Sequence, residues 1–400
     1  MIVDIFNYSL TAILIGICGA WIFLIKSMMV SFKKTPYLDK FEKTENSNPL
    51  VSIILPARNE EEYIAKCLDT LIDQDYPNYE IIAIDDSSQD KTGNIIATYS
   101  KQNSKVIHVS AQPKPEGWMG KNWACIEGYK KATGELLLFT DADTKHANNV
   151  ISLAVNHLLA FNLDALTAIP KMISIDWWTK ITLPMISTFL HTRFSAIRVN
   201  DPSKKTGYFF GSFFIIKRET YEKVGTHEGV KQEIIEDGAL GKKVKESGHK
   251  MKMVRADHLI EAVWARDRET LWNALKRLMV PLYLQSHGIA VGIFFAVLFL
   301  LFIPFPLLVY SSILNFETFS NTLVFITSLI ASTLIYIGAV IEVKKALYLK
   351  LSHALFGPIG SLVVVLGFLS GLIQAKKNSA VSWRGRTYSM KDHIQDSIRI

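Results

Sequence analysis

Four apolar blocks constrain this chain more than any other feature, because none of them fits the surface of an ordinary globular domain. They cover residues 7–30, 287–310, 322–341 and 352–374, and each is long enough to cross a bilayer core. They raise the hydrophobic share to 49% and the mean hydropathy to +0.19. The expected division is an anchor over 1–34, a globular domain over 35–286, membrane helices over 287–374 and a basic tail over 375–400.

Charge placement orients the first block. Only Asp4 precedes it, whereas Lys26, Lys33 and Lys34 lie at its end and beyond. A signal peptide has the opposite polarity and a small-residue cleavage site. The block therefore reads as an anchor with its N-terminus outside and the next domain in the cytoplasm, placing the protein in the cell membrane. The net charge of +7 comes mostly from Lys and Arg flanking the blocks, as in a membrane-surface protein. No basic patch is interleaved with aromatics, so nucleic acid is not an expected partner. Cys18, Cys67 and Cys125 are scattered without C-x-x-C spacing, which argues against a disulfide framework or zinc site and fits a reducing compartment.

The tail poses a conflict. Three more crossings would put it outside, yet Lys376, Lys377, Arg384, Arg386, Lys391 and Arg399 call for the cytoplasmic side. One block is expected not to cross. The last, interrupted at Gly357-Pro358, is the candidate for a re-entrant or interfacial segment.

Within the globular domain, residues 35–48 read as a linker. Apolar strands then alternate with helices: strands near 51–56, 79–84, 105–109 and 136–139, with helices between. This pattern implies β-α-β units and an open, mostly parallel sheet, and such sheets bind ligands outside the carboxyl ends of their strands. Glu60, Asp86, Asp141 and Asp143 all fall at or just past those ends.

Leu136-Leu-Leu-Phe-Thr-Asp141-Ala-Asp143 is the most pointed of these stretches. Side chains two apart in an extended chain share a face, so Asp141 and Asp143 are expected to converge and hold Mg²⁺ or Mn²⁺ through oxygen ligands. A lone D-A-D is equally a strand end with two acidic turn residues, and its surroundings decide between the two. Gly117-Trp-Met-Gly120-Lys121 can hold phosphate oxygens with backbone N–H groups and one positive charge. It lacks the spacing of a Walker A loop.

Further along, residues 177–198 read as one aromatic, apolar helix, and 270–285 as a basic amphipathic one. Both are candidates for the membrane interface. Residues 207–216 read as a glycine-punctuated strand. Glu236-Asp237 opens a helix, where acidic residues also serve as ordinary dipole partners.

In order, Pro56-Ala57-Arg58-Asn-Glu60, Asp85-Asp86, Asp141-Ala-Asp143 and Glu236-Asp237 resemble the motifs of family 2 glycosyltransferases with a GT-A fold. The resemblance covers roughly residues 50–284. It implies a Rossmann-like, mostly parallel sheet and transfer of a sugar from a nucleotide-diphosphate donor, with a UDP-sugar favoured. Gly117-Trp-Met-Gly-Lys-Asn-Trp-Ala and Trp383-Arg384-Gly-Arg386-Thr-Tyr look most like membrane-bound lipid glycosyltransferases of the diaponeurosporenoate, hopene-associated and ceramide types.

On that resemblance, Asp143 with Asp141 holds the metal. Pro56, Ala57, Arg58, Glu60, Asp86, Lys121 and Asp141 serve the donor. Asp237 is the base of an inverting transfer, supported by Glu236. Tyr208, Phe209, Phe210, Trp383, Arg384 and Arg386 are assigned to the acceptor or tail, and the acceptor is a lipid hydroxyl or carboxyl. Two departures stand out. Ser87 replaces a frequent glycine, and the Q-x-x-R-W motif of processive synthases is missing, with residues 266–272 a loose counterpart. Competing readings are a polyprenyl-phosphate sugar synthase, a polysaccharide synthase and a non-catalytic membrane scaffold.

Overall fold

The computed structural model describes residues 2–41, 47–313, 318–377 and 380–390; Lys391 and Arg399 lie outside them. The chain forms two compact units. One comprises residues 1–34, 174–195 and 264–381, the other 35–173, 196–263 and 382–400.

The second unit is built on strands β1 (Val51–Ala57), β2 (Tyr79–Asp85), β3 (Val106–Ser110), β4 (Leu136–Phe139), β5 (Thr144–His146), β6 (Ala165–Ile169), β7 (Lys171–Ser174), β8 (Phe214–Lys217), β9 (Met251–Arg255) and β10 (Ile260–Ala265). Seven form one sheet in the order β3-β2-β1-β4-β8-β6-β9. It is parallel except for β8, which runs against both neighbours. A smaller sheet has the order β5-β10-β7.

The apolar runs of β1, β2 and β4 explain their central place. Ile53, Leu55, Ile81 and Leu138 face one core and Ile54, Ile82, Ile84 and Leu137 the other, all wholly buried. Each such side chain contributes roughly 1.5–3 kcal/mol of burial. The register pairs Ala57 with Asp85 and Ile54 with Phe139, so three strands end side by side.

Three expectations need correction here. Residues 35–48 are not a free linker at their start: Leu38 donates to the Arg255 carbonyl (2.8 Å), and Arg255 donates to that of Pro36 (2.7 Å), adding the chain to the edge of β9. Residues 207–213 are not strand. Phe213 N–H turns back to the Phe210 carbonyl at 3.0 Å, and only Phe214–Lys217 is extended. The single helix expected over 177–198 is instead Trp177–Ser187, Leu190–Arg193 and Ala196–Asn200. Pro184 supplies no N–H there, and the chain turns so that His191 reaches Ser31 (3.1 Å) and Glu342 (3.0 Å).

The first unit is helical. Ile2–Lys34, Phe319–Lys345 and Gly357–Lys377 are long and apolar enough to cross a membrane, and His287–Phe302 with Pro304–Ile313 forms a further candidate bent by 50°. The second apolar block is thus broken ahead of Pro304. The last block is interrupted where expected: Ser352–Leu355 ends and Gly357–Lys377 starts a separate helix, with Pro358 in its first turn.

Polar contacts fix helix directions. Ser320 donates to Asp4 (2.9 Å) and Asn7 to Asn321 (2.5 Å), joining the starts of Ile2–Lys34 and Phe319–Lys345. The Ser31–His191–Glu342 contacts join their ends, and Ser187 also donates to the wholly buried Glu342 at 2.8 Å. These two helices run in the same direction. The bent pair runs against Phe319–Lys345, with Phe305 near Tyr336 (5.6 Å) and Ser311 near Ser328 (3.4 Å).

Gly357–Lys377 packs differently. A methyl group at Gly367 would lie 2.7 Å from Leu275 and one at Gly371 2.8 Å from Met279. Small residues along one face thus let it lie close against Arg268–Gln285. That helix begins before residue 270 because Asp267 and Thr270 form a capping box.

Candidate active site

The loops after β1, β2 and β4 converge at one end of the sheet, as the strand register requires. Ala57 is buried, and its carbonyl accepts from Asp86 N–H at 2.9 Å, tying the first two loops together. Pro56, the preceding residue of β1, pairs with Ile84 in register. Arg58 reinforces the tie by donating to the carbonyls of Asp86 (2.5 Å) and Ser87 (2.7 Å). Asp86 is buried, its carboxylate accepts from Arg386, and its Oδ1 has no hydrogen-bond partner. Burial pushes this carboxyl above its usual value, although Arg386 pulls the other way. Glu60 is also buried; its N–H donates to Thr92 Oγ1 at 2.7 Å, and its carboxylate meets Arg384 at 2.8 Å.

The D-A-D does not continue the strand. β4 ends at Phe139, and Thr144 N–H bends back to the Asp141 carbonyl at 3.3 Å. Each of the two carboxylates meets a different cation. Asp141 Oδ1 lies 2.7 Å from Lys121 Nζ, whereas Asp143 Oδ2 lies 3.0 Å from Arg384 Nη2. Ala142 is buried in the core between them.

Lys121 ties the D-A-D loop to the segment that carries Glu236. It bridges Asp141 to Glu236, at 2.7 Å from each. Burial lowers its pKa, but Asp141, Glu236 and Asp237 outweigh burial and hold it well above the usual lysine range. Asp237 sits in the first turn of the helix Glu236–Glu246, with Oδ1 accepting Gly238 N–H at 2.7 Å. Burial, then the Glu236 carboxylate, pushes Asp237 up to about 7.

Gly211 marks where these groups meet. A methyl group there would lie 2.7 Å from Asp237 Oδ2, 2.9 Å from Lys121 Nζ and 3.3 Å from Asp141 Oδ2.

Among the described residues, no three His, Cys, Asp or Glu side chains form a metal cage. The donor set of Asp141 and Asp143 is carboxylate oxygen alone. It fits a hard divalent cation whose shell is completed by diphosphate and water, the usual arrangement for Mg²⁺.

The sequence model of the family described as Glycosyl transferase family 2 matches residues 52–225. This stretch is a family 2 glycosyltransferase domain. The chain is 26% identical over 209 residues to a 4,4'-diaponeurosporenoate glycosyltransferase of Staphylococcus haemolyticus, covering 52% of this chain and 55% of that protein. It is 33% identical over 129 residues to a beta-monoglucosyldiacylglycerol synthase of Trichormus variabilis, covering 32% of this chain and 27% of that one. The matches thus span about half the length of the first relative and less of the second. A mannosyltransferase from Pyrobaculum calidifontis, solved with GDP-Man and Mn²⁺, superimposes with a TM-score of 0.54 at 16% identity, over 92% of this chain and 99% of that one. That likeness shows the fold, a GT-A sheet.

In the family 2 domain the acceptor-side expectations divide. Phe209 is core, wholly buried and stacked on Phe214 at 4.4 Å. Tyr208 and Phe210 are half-buried, and Tyr208 lies beside Gly238 of the Asp237 helix. Arg384 and Arg386 meet Glu60, Asp143 and Asp86 on the loops after β1, β4 and β2. The Trp383 side chain lies outside the described part of the structure. Asn122 was missed by sequence reasoning: it donates to the carbonyls of Val230 (2.6 Å) and Glu233 (3.1 Å), fastening the Lys121 helix to the segment that delivers Glu236. A buried asparagine one residue after the lysine was the available signal.

Proposed function

We propose that the chain is an inverting glycosyltransferase that moves a sugar from a nucleotide-diphosphate sugar, a UDP-sugar first, to a membrane lipid at the cytoplasmic face. The observation that carries this reading is the Lys121 bridge, which brings the D-A-D loop and Asp237 to one place. Relatives named for acting on a carotenoid acid and a diacylglycerol support a lipid acceptor.

In this reading the donor's nucleoside lies along Glu60 and Asp86. The unpartnered Asp86 Oδ1 accepts a base N–H, and Pro56, Ala57 and Arg58 shape the loop beneath. A divalent cation held by Asp143 and Asp141 supplies charge relief to the leaving diphosphate. Asp237 accepts the proton of the acceptor hydroxyl as its oxygen attacks the anomeric carbon. The bond to the diphosphate oxygen breaks on the opposite face, inverting the centre. Glu236, neutralised by Lys121, holds the base helix against the donor side. Asp237→Asn tests the assignment: transfer should be lost while nucleoside diphosphate binding survives, and retained turnover would remove Asp237 from the reaction.

Helix directions support an orientation for the whole chain. Ile2–Lys34 and Phe319–Lys345 carry their lysines at the same end, which the charge rule places inside. The antiparallel bent pair then crosses outward as one broken span. The catalytic unit follows Lys34 directly in sequence, and Arg384 pairs with Asp143 within that unit. Gly357–Lys377 therefore starts and ends on the cytoplasmic side and lies in the interface. In this reading the basic tail stays on the cytoplasmic side.

A further inference from the structure

Resting on that reading of the site, we infer that the C-terminal hairpin is part of the donor site, and that Arg384 and Arg386 bind the donor's diphosphate. The hairpin consists of β11 (Ala380–Trp383) and β12 (Arg386–Ser389). Its turn residues Arg384 and Gly385 both take left-handed backbone angles, φ 47° and 76°, the geometry of a tight two-residue hairpin. Arginine is an unfavourable residue at such a position, and the turn it makes points the tip into the strand-end loops.

The tip is clamped into the strand-end loops. Arg58 Nε and Asn59 Nδ2 donate to the Arg384 carbonyl at 3.0 and 3.3 Å. The Arg384 guanidinium spans Glu60 (2.8 Å) and Asp143 (3.0 Å), one from the nucleoside loop and one from the D-A-D. Arg386 pairs with Asp86. The hairpin also closes on the glycine-tryptophan loop: a methyl group at Gly120 would lie 2.6 Å from Tyr388 Oη and 2.7 Å from Arg386 Nη1.

Charge assigns the role. Lys121 is committed to Asp141 and Glu236, and Arg58 to backbone carbonyls. The two hairpin arginines place positive charge against Glu60, Asp86 and Asp143, carboxylates that would by themselves repel a diphosphate. Guanidinium groups bind phosphate oxygens through paired N–H donors. When the donor enters, Arg384 exchanges its Asp143 contact for phosphate oxygens and keeps Glu60, so the tip stays in place and tightens.

The test uses the full-length protein in detergent or nanodiscs, with UDP and GDP plus Mn²⁺ as probes. Calorimetric binding is measured for wild type, Arg384→Ala, Arg384→Lys, Arg386→Ala and, as an exposed control outside the hairpin, Lys377→Ala. Hydrogen exchange is followed over residues 380–390. The expected result is a loss of at least ten-fold in affinity for each alanine variant, a smaller loss for Arg384→Lys, no change in the control, and slower exchange of the hairpin with nucleotide. Unchanged or tighter binding by Arg384→Ala, or faster hairpin exchange with nucleotide, overturns the inference and leaves the transferase reading intact. Absence of nucleotide binding by folded wild type overturns both.

Discussion

The Lys121 ammonium lies 2.7 Å from the Asp141 carboxylate, and this contact ties the donor side of the site to the base side. The same ammonium meets Glu236 and lowers the Asp237 pKa against burial and Glu236. Removing it has a signed consequence. Asp237 must be ionised to accept a proton, so activity should fall as pH drops through about 7, the value to which Asp237 is pushed. In Lys121→Met the base loses its cation and its pKa rises further. The acid limb of the pH–rate profile should then move to higher pH, with a reduced plateau; an unmoved limb would uncouple Lys121 from the base.

Asp237→Asn should lower transfer by about 10²- to 10⁴-fold, the usual worth of a general base. Nucleoside diphosphate affinity should stay within a few-fold of wild type. Product analysis and calorimetry on the same preparation separate the two effects.

Gly211→Ala places a methyl 2.7 Å from Asp237 Oδ2 and 2.9 Å from Lys121 Nζ. These are side-chain ends, so the fold can yield while the bridge cannot. Turnover should drop by at least ten-fold with little change in the thermal midpoint. A large loss of stability with normal turnover in the folded fraction would show that the glycine serves packing alone.

Gly367→Leu should act on the membrane unit instead. Its side chain has no room against Leu275, and overpacking of this kind costs roughly 1–3 kcal/mol. Detergent-solubilised protein should unfold at lower temperature, as read by a thermal shift. The neighbouring Leu366 is exposed, so Leu366→Ala should leave the midpoint unchanged. Equal stability for both variants would separate Gly357–Lys377 from Arg268–Gln285.

Single cysteines settle the orientation, in a background freed of Cys18, Cys67 and Cys125. In sealed inside-out vesicles an impermeant thiol reagent should label Ser389→Cys and a cysteine at Lys34. In right-side-out vesicles it should label one at residue 2. Labelling of position 389 only from the outside would make Gly357–Lys377 a crossing helix.

How much of this was readable from residue order depends on whether the cause was local. β1, β2 and β4 were legible because continuous apolar runs ending in acids reflect burial on both faces and a ligand-side strand end. Glu236-Asp237 was legible as a helix start for the same local reason. The cations that the D-A-D carboxylates meet were not legible, because the strand stops at Phe139 and the partners, Lys121 and Arg384, come from other elements. Residues 207–213 look like strand in composition, yet Gly207 and Gly211 are there for close approach of the Asp237 helix. The position of Arg384 was invisible because it depends on contacts with Glu60 and Asp143, far away in sequence. The interruption at Gly357-Pro358 was legible because a glycine-proline pair starts a new helix after Leu355, whereas the bend ahead of Pro304 was not singled out within an otherwise continuous apolar run.

The most direct measurement is sugar transfer on membranes from expressing cells. Labelled UDP- and GDP-sugars are offered with Mn²⁺ or Mg²⁺ and added lipid extract, beside an Asp143→Ala control. The account predicts metal-dependent label in the lipid phase with one donor and none in the control. Folded protein that turns over no donor, or label that enters lipid equally in the control, would contradict it.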